Sequence, residues 1–144
     1  MRLVIDTNTL LSIYIYRDVR HTPLRDAYTS GADTLLMDAV CYEELAHVLR
    51  HRQFEKVRVE NGIDIEPLLI SITNECEWIA SAVPQGMPAL PVCRDADDQK
   101  FLLLAARGKA DALVSFDKAV LKCRGRVPFT IARPEELARL RKKT

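Results

Sequence analysis

The chain has 144 residues, 48% of them hydrophobic, with 21 Lys plus Arg against 20 Asp plus Glu and only 5 Gly and 7 Pro. That length and apolar content suffice for a hydrophobic core without staples, which excludes disordered, collagen-like and mucin-like classes and predicts a single globular domain over residues 1–144. No apolar run approaches the roughly 18 residues of a membrane span, and Asp6 interrupts the N-terminal apolar stretch before it reaches signal-peptide length, so a cytoplasmic protein with no membrane contact is expected.

Leu3-Val4-Ile5 reads as a buried strand running into the polar Asp6-Thr7-Asn8, where a helix begins with Thr7 or Asn8 as N-cap and an apolar face reaching to about Tyr16. Thr22-Pro23 opens a second helix that Ser30-Gly31 closes, because proline suits a first helical position and glycine follows a last one. Residues 33–37 are a strand, and a helix from about Ala39 to His51 carries the apolar stripe Val40, Leu45, Val48 and Leu49. A turn with a short helix over 52–64, a helical segment from Glu66 to about Asn74 and a short strand from Cys76 to Ala80 follow. Three prolines and a glycine within residues 84–91 make an extended connection. The clearest helix runs from Asp95 to Arg107 and is closed by Gly108. Then come a strand at 112–115, a helical turn at 117–122, a strand at 128–132 and a terminal helix at 134–143. Strands alternating with helices predict an α/β fold with a parallel sheet covered on both faces.

The net charge of +1 conceals an asymmetry, because residues 118–144 hold nine cations against two anions, a net +7, and the first 117 residues carry −6. The basic end suits a polyanion or is an ordinary solvated helix. Cysteines at 41, 76, 93 and 123 have neither Cys-x-x-Cys spacing nor the density of a disulfide scaffold, and read as reduced packing residues.

Acids recur at strand ends and helix starts. Asp6 ends the first strand, Asp117 follows the apolar Ala112-Leu113-Val114 by way of Ser115-Phe116, Asp95, Asp97 and Asp98 enter the 95–107 helix, and Glu44 lies within the third helix. In open α/β sheets the ligand crevice lies outside the carboxyl ends of the strands, so four elements can aim carboxylates at one place. Clustered carboxylates stay ionised only beside a cation, and Mg²⁺ or Mn²⁺ suits an oxygen-rich set without a His or Cys cluster. The chemistry of such a site is phosphodiester hydrolysis. Each acid also has an ordinary role: Asp95 and Asp98 fit an N-cap and N3 pair, and Asp117 fits a helix cap. Asp6 is harder to explain that way, since a carboxylate directly after Leu-Val-Ile is costly to bury unpaired.

Leu-Val-Ile-Asp6-Thr-Asn8, Glu43-Glu44-Leu-Ala-His-Val-Leu, Cys-Arg-Asp95-Ala-Asp-Asp98-Gln-Lys-Phe-Leu, Ala-Asp-Ala-Leu-Val-Ser115-Phe-Asp117 and Pro134-Glu-Glu-Leu, in this order and spacing, resemble the PIN-domain ribonucleases, in particular the VapC-like toxins of toxin–antitoxin pairs. The resemblance covers nearly the whole chain. It implies a three-layer α/β/α sandwich around a parallel sheet and an acidic pocket that uses Mg²⁺ or Mn²⁺ to cleave RNA. By position, Asp6, Glu44, Asp98 and Asp117 match the acidic quartet, Asp95 matches a further acid, and Asn8 and Ser115 match polar residues beside the site. Which of Asp95, Asp97 and Asp98 binds metal directly stays open. Relatives often have proline where this chain has Ala96, which bears on the helix start more than on the chemistry. The resemblance also implies an antitoxin partner, and exposed apolar residues on the helices would suit that partner and a homodimer.

Glu44, His47 and His51 share a helix face, but a di-metal bundle needs a second Glu-x-x-His, so the histidines belong at the rim. Arg50, Arg52, Lys56 and Arg58, with Lys118 and Lys122, are candidates to hold phosphates beside the acids, and scattered surface charge is the plain alternative. Tyr14, Tyr16 and Tyr28 fall on apolar helical faces and read as core or dimer packing, and Trp78 reads as core. A receiver-type phosphoacceptor domain would need an acidic pair after the first strand, where this chain has one acid. A catalytically silent binding domain of the same fold would be signalled by a missing acid, and none is missing.

Overall fold

The computed structural model describes residues 1–142. Strand β1 (Arg2–Ile5) is central in a five-stranded sheet, with β2 (Thr34–Met37) and then β3 (Cys76–Trp78) on one side and β4 (Ala112–Val114) and β5 (Thr130–Ala132) on the other. Every neighbouring pair is parallel, and Leu3 lies in register with both Leu35 and Ala112. Leu3, Val4, Leu35, Leu36, Leu113 and Val114 are all buried, so these strands read as unbroken apolar runs because helices cover both faces. The parallel sheet covered on both faces that the alternation predicts, and the three-layer α/β/α sandwich that the resemblance implies, are the observed architecture.

The described residues form eight helices: α1 (Thr7–Tyr14), α2 (Thr22–Thr29), α3 (Ala39–Arg50), α4 (Glu55–Glu60), α5 (Ile65–Glu75), α6 (Gln99–Arg107), α7 (Lys118–Leu121) and α8 (Leu137–Lys142). None is long and apolar enough to cross a membrane. After β1, β2 and β4 an aspartate accepts a backbone N–H of the helix that follows: Asp6 from Thr9, Asp38 from Cys41 and Asp117 from Ala119. The first helix is thus capped by Asp6 rather than by Thr7 or Asn8, because the strand carries the chain straight into the helix and leaves its last extended residue at the capping position.

Two further expectations are corrected. The helix predicted from Asp95 begins as a 3₁₀ turn, Ala96–Asp98, with Asp95 accepting the N–H of Asp97, and becomes α-helical only at Gln99. Gly108 closes α6 as expected, without itself taking up a left-handed backbone. Lys109 takes one up, at φ 51°, while glycine at 108 answers to space, since a Cβ there would lie 2.8 Å from Leu36 Cδ1 and 3.1 Å from the Leu104 carbonyl oxygen. Trp78 is 43% exposed rather than core, because β3 is an edge strand. Its indole packs edge-on against Tyr42 and donates to the Thr73 carbonyl. Tyr14 and Tyr28 are buried with their hydroxyls hydrogen-bonded to each other, whereas Tyr16 is exposed and packs edge-on against Phe54. The four cysteines are free thiols.

Candidate active site

The chain runs from β1 outward to β2 and β3, then returns to the other side of β1 for β4 and β5, so the direction of winding reverses between β1 and β4. A crevice opens outside the strand ends at such a point. Asp6 ends β1 there and Ser115 ends β4. Ser115 Oγ donates to Asp6 Oδ2 at 2.6 Å and accepts the Asp117 N–H at 3.0 Å, so one buried hydroxyl ties the two strand ends together. Asp6 Oδ1 accepts the Thr9 N–H at 2.9 Å. Burial pushes the Asp6 carboxyl above the ordinary carboxylate range, the bonds from Ser115 and Thr9 oppose that, and the charge of Asp117 adds to it.

Asp95, Asp98 and Asp117 each offer a carboxylate oxygen, and these three atoms lie within 4.8 Å of one another. The segment bearing Asp95 is held by Gln99, whose Oε1 accepts the Cys93 N–H at 2.6 Å and whose Nε2 donates to the Pro91 carbonyl at 3.1 Å. The Asp98 carboxyl is pushed up to about 6, first by burial and then by the charges of Asp117, Asp95, Asp6 and Glu44. Asp98 Oδ2 is buried and has no hydrogen-bond partner among the described residues. A buried carboxylate oxygen that faces other carboxylates and no donor is unstable as an anion unless a cation occupies the space. The donor set is all oxygen, which fits a hard divalent cation and not zinc. The residues therefore fit a hard divalent cation.

Glu44 lies beside this trio and is compensated differently. Its Oε2 accepts Thr7 Oγ1 at 3.1 Å and pairs with Lys100 Nζ at 3.0 Å. Lys100 was not among the residues the motif reading selected, and only its place one residue past Gln99, on the first turn of α6, could have drawn notice. Replacing Lys100 by Met keeps an unbranched apolar side chain but deletes the ammonium, which lies over the Phe101 ring at 5.4 Å from its centroid and beside the acids. Lys100→Met should tighten Mn²⁺ binding, on the order of 3- to 10-fold, as followed in a metal titration; unchanged affinity would mean that this ammonium is not felt at the acid trio.

The remaining candidates are dispersed. Asp97 is exposed and uses its N–H and carbonyl to bond Asp95 and Lys100, so it stands outside the trio. Asn8 is exposed in the first turn of α1. Arg50 is engaged by both oxygens of Glu66, Arg52 is exposed in the 3₁₀ turn after α3, and Lys118 is exposed directly after Asp117. Arg58 donates to the Leu49 and His51 carbonyls and so caps the end of α3. His47 and His51 are exposed with their rings 6.3 Å apart.

A family model described as PIN domain matches residues 2–119, from the first strand into α7, leaving β5 and α8 beyond the match. A search of curated proteins finds no match.

Proposed function

The chain belongs to the PIN-domain family, and from that premise we propose that it is a Mg²⁺- or Mn²⁺-dependent endoribonuclease, the toxin of a toxin–antitoxin pair acting on RNA in the cytoplasm. The observation that carries this reading is the Asp95, Asp98 and Asp117 trio, with the uncompensated Asp98 oxygen inside it. Asp95, Asp98 and Asp117 would hold the divalent ion, which when bound would supply positive charge to the oxygens of a phosphodiester. Asp6, fixed by Thr9 and Ser115, and Glu44, fixed by Thr7 and Lys100, are the carboxylates that orient the attacking water and accept its proton. Water's oxygen adds to phosphorus, and the sugar oxygen departs as the alcohol with a proton.

Because the acidic centre repels RNA, cations must hold the backbone, and the exposed Lys118 and Arg52 supply them, with Arg50 joining by exchanging Glu66 for a phosphate. Exposed Val40, Ile70 and Trp78 offer apolar surface for the antitoxin or a second copy of the chain. The test is incubation of the purified chain with end-labelled single-stranded RNA. Internal cleavage should occur with Mn²⁺ or Mg²⁺, stop with EDTA and return when the metal is restored; intact RNA under every divalent condition would defeat the nuclease reading.

A further inference from the structure

Phe116 stands between two residues of the site, the fully buried Ser115 and the trio member Asp117, yet its own ring is 42% exposed. It lines a cavity of about 450 Å³ with Ser12 of α1, Arg20, His21 and Glu135. An exposed aromatic ring one residue along the chain from an acidic centre offers a flat apolar face at small entropic cost. We infer that Phe116 is a stacking platform and that this cavity takes an unpaired nucleobase of the RNA beside the scissile phosphate. The inference rests on the ribonuclease reading and specifies how that site holds its substrate.

The polar lining favours a base over a phosphate. Arg20 is paired with Asp18 and also feels the charge of Glu135, so the lining presents no free cation for an anion. It does present donors on Arg20, an acceptor on Glu135 and a Ser12 hydroxyl able to act as either, which matches the mixed edge of a heterocycle. His21 also lines this space, with its Nε2 3.8 Å from Asp18 Oδ2. A volume in the range of small-ligand pockets accommodates one base. Because every base has a π face, the platform tolerates sequence while still requiring a single strand.

The experiment measures binding of a short single-stranded RNA by fluorescence anisotropy with Ca²⁺ in place of the activating metal, for the wild type, Phe116→Ala and Phe116→Trp. Phe116→Ala should bind about 5- to 150-fold more weakly, and Phe116→Trp should stay within a few-fold of the wild type. With the same oligomer made abasic, wild type and Phe116→Ala should bind alike, and Mn²⁺ affinity should be the same in all three proteins. Equal binding of the normal RNA by wild type and Phe116→Ala would overturn the inference, as would a loss that persists on the abasic oligomer. A wild type that binds no RNA would overturn the ribonuclease reading itself, an outcome distinguishable from the first because there the wild type binds.

Discussion

Asp98→Asn should reduce metal-dependent cleavage by more than about 100-fold, because losing groups that merely support metal ligands already costs about 10- to 100-fold, and should also make the metal-free protein more stable at neutral pH. The second effect follows from the sign of the shift at Asp98. Its folded-state pKa of about 6 lies above the ordinary value, so between about pH 4 and pH 6 the folded chain holds a proton that the unfolded chain has released. Stability is lost as pH rises through that window, and the loss is complete above pH 6. With allowance for screening of a partly exposed group, the cost is about 1–2 kcal/mol. The amide removes it, so the melting temperature of Asp98→Asn without metal should exceed that of the wild type by about 3–8 °C at pH 7.5 and equal it near pH 4. Added Mn²⁺ should raise the wild type at pH 7.5 and leave the variant unmoved. A variant less stable than the wild type at pH 7.5 would show that Asp98 has a compensating partner.

Arg107→Ala should destabilise the fold by about 3–5 kcal/mol, a large share of the roughly 5–15 kcal/mol that holds a domain together. Asp38 ends β2 and is buried, with Oδ1 on the Cys41 N–H and Oδ2 on the Arg107 guanidinium. Arg107 also donates to the Ala80 carbonyl at 2.7 Å. Truncating it leaves a buried carboxylate with one neutral donor and no counter-charge. Urea unfolding at pH 7 measures the loss, and less than about 1 kcal/mol would mean that water reaches Asp38. The pair Asp38→Asn with Arg107→Met should recover most of the loss, because asparagine still caps α3 and no buried charge remains. Arg107 closes α6 and Asp38 opens α3, the helices that carry the Lys100–Glu44 pair, so the ion pair also fixes how that part of the site assembles.

The contrast between Asp6 and Asp38 shows how far the residues alone could lead. Leu-Val-Ile-Asp6 and Leu-Leu-Met-Asp38 follow one pattern: an apolar strand, an aspartate, a helix. Both aspartates are buried and both cap the next helix. One lies in the crevice at the strand ends and the other in an ion pair, and the difference lies in Arg107, 69 residues away from Asp38 in sequence. Local patterning exposed the alternation of elements, the parallel sheet and the acids, because apolar periodicity and strand-end polarity are short-range signals. It could not say which acids receive a cation from the chain. Asp38 receives Arg107, Glu44 receives Lys100 and Asp33 receives Arg141, while among the described residues the Asp95, Asp98 and Asp117 trio has no such cation.

The capping roles read from the sequence and the metal role implied by resemblance also proved compatible at Asp95 and Asp117, since each carboxylate spends one oxygen on a backbone N–H and retains the other. The exposure of Phe116 escaped the reading because Ser-Phe-Asp looks like a strand end followed by a cap, and nothing local says that the middle ring faces outward. Trp78 escaped for a related reason, since edge position is a property of the finished sheet.

A Mn²⁺ titration of the purified chain at pH 7.5, followed by electron paramagnetic resonance, should show the free-ion signal suppressed by wild type, far less so by Asp98→Asn, and recovered from the wild type on acidification to pH 5, where protons compete for the same oxygens. Binding of Mn²⁺ by Asp98→Asn as tight as by wild type, or no binding by either, would contradict the assignment of the three aspartates as a divalent-cation site.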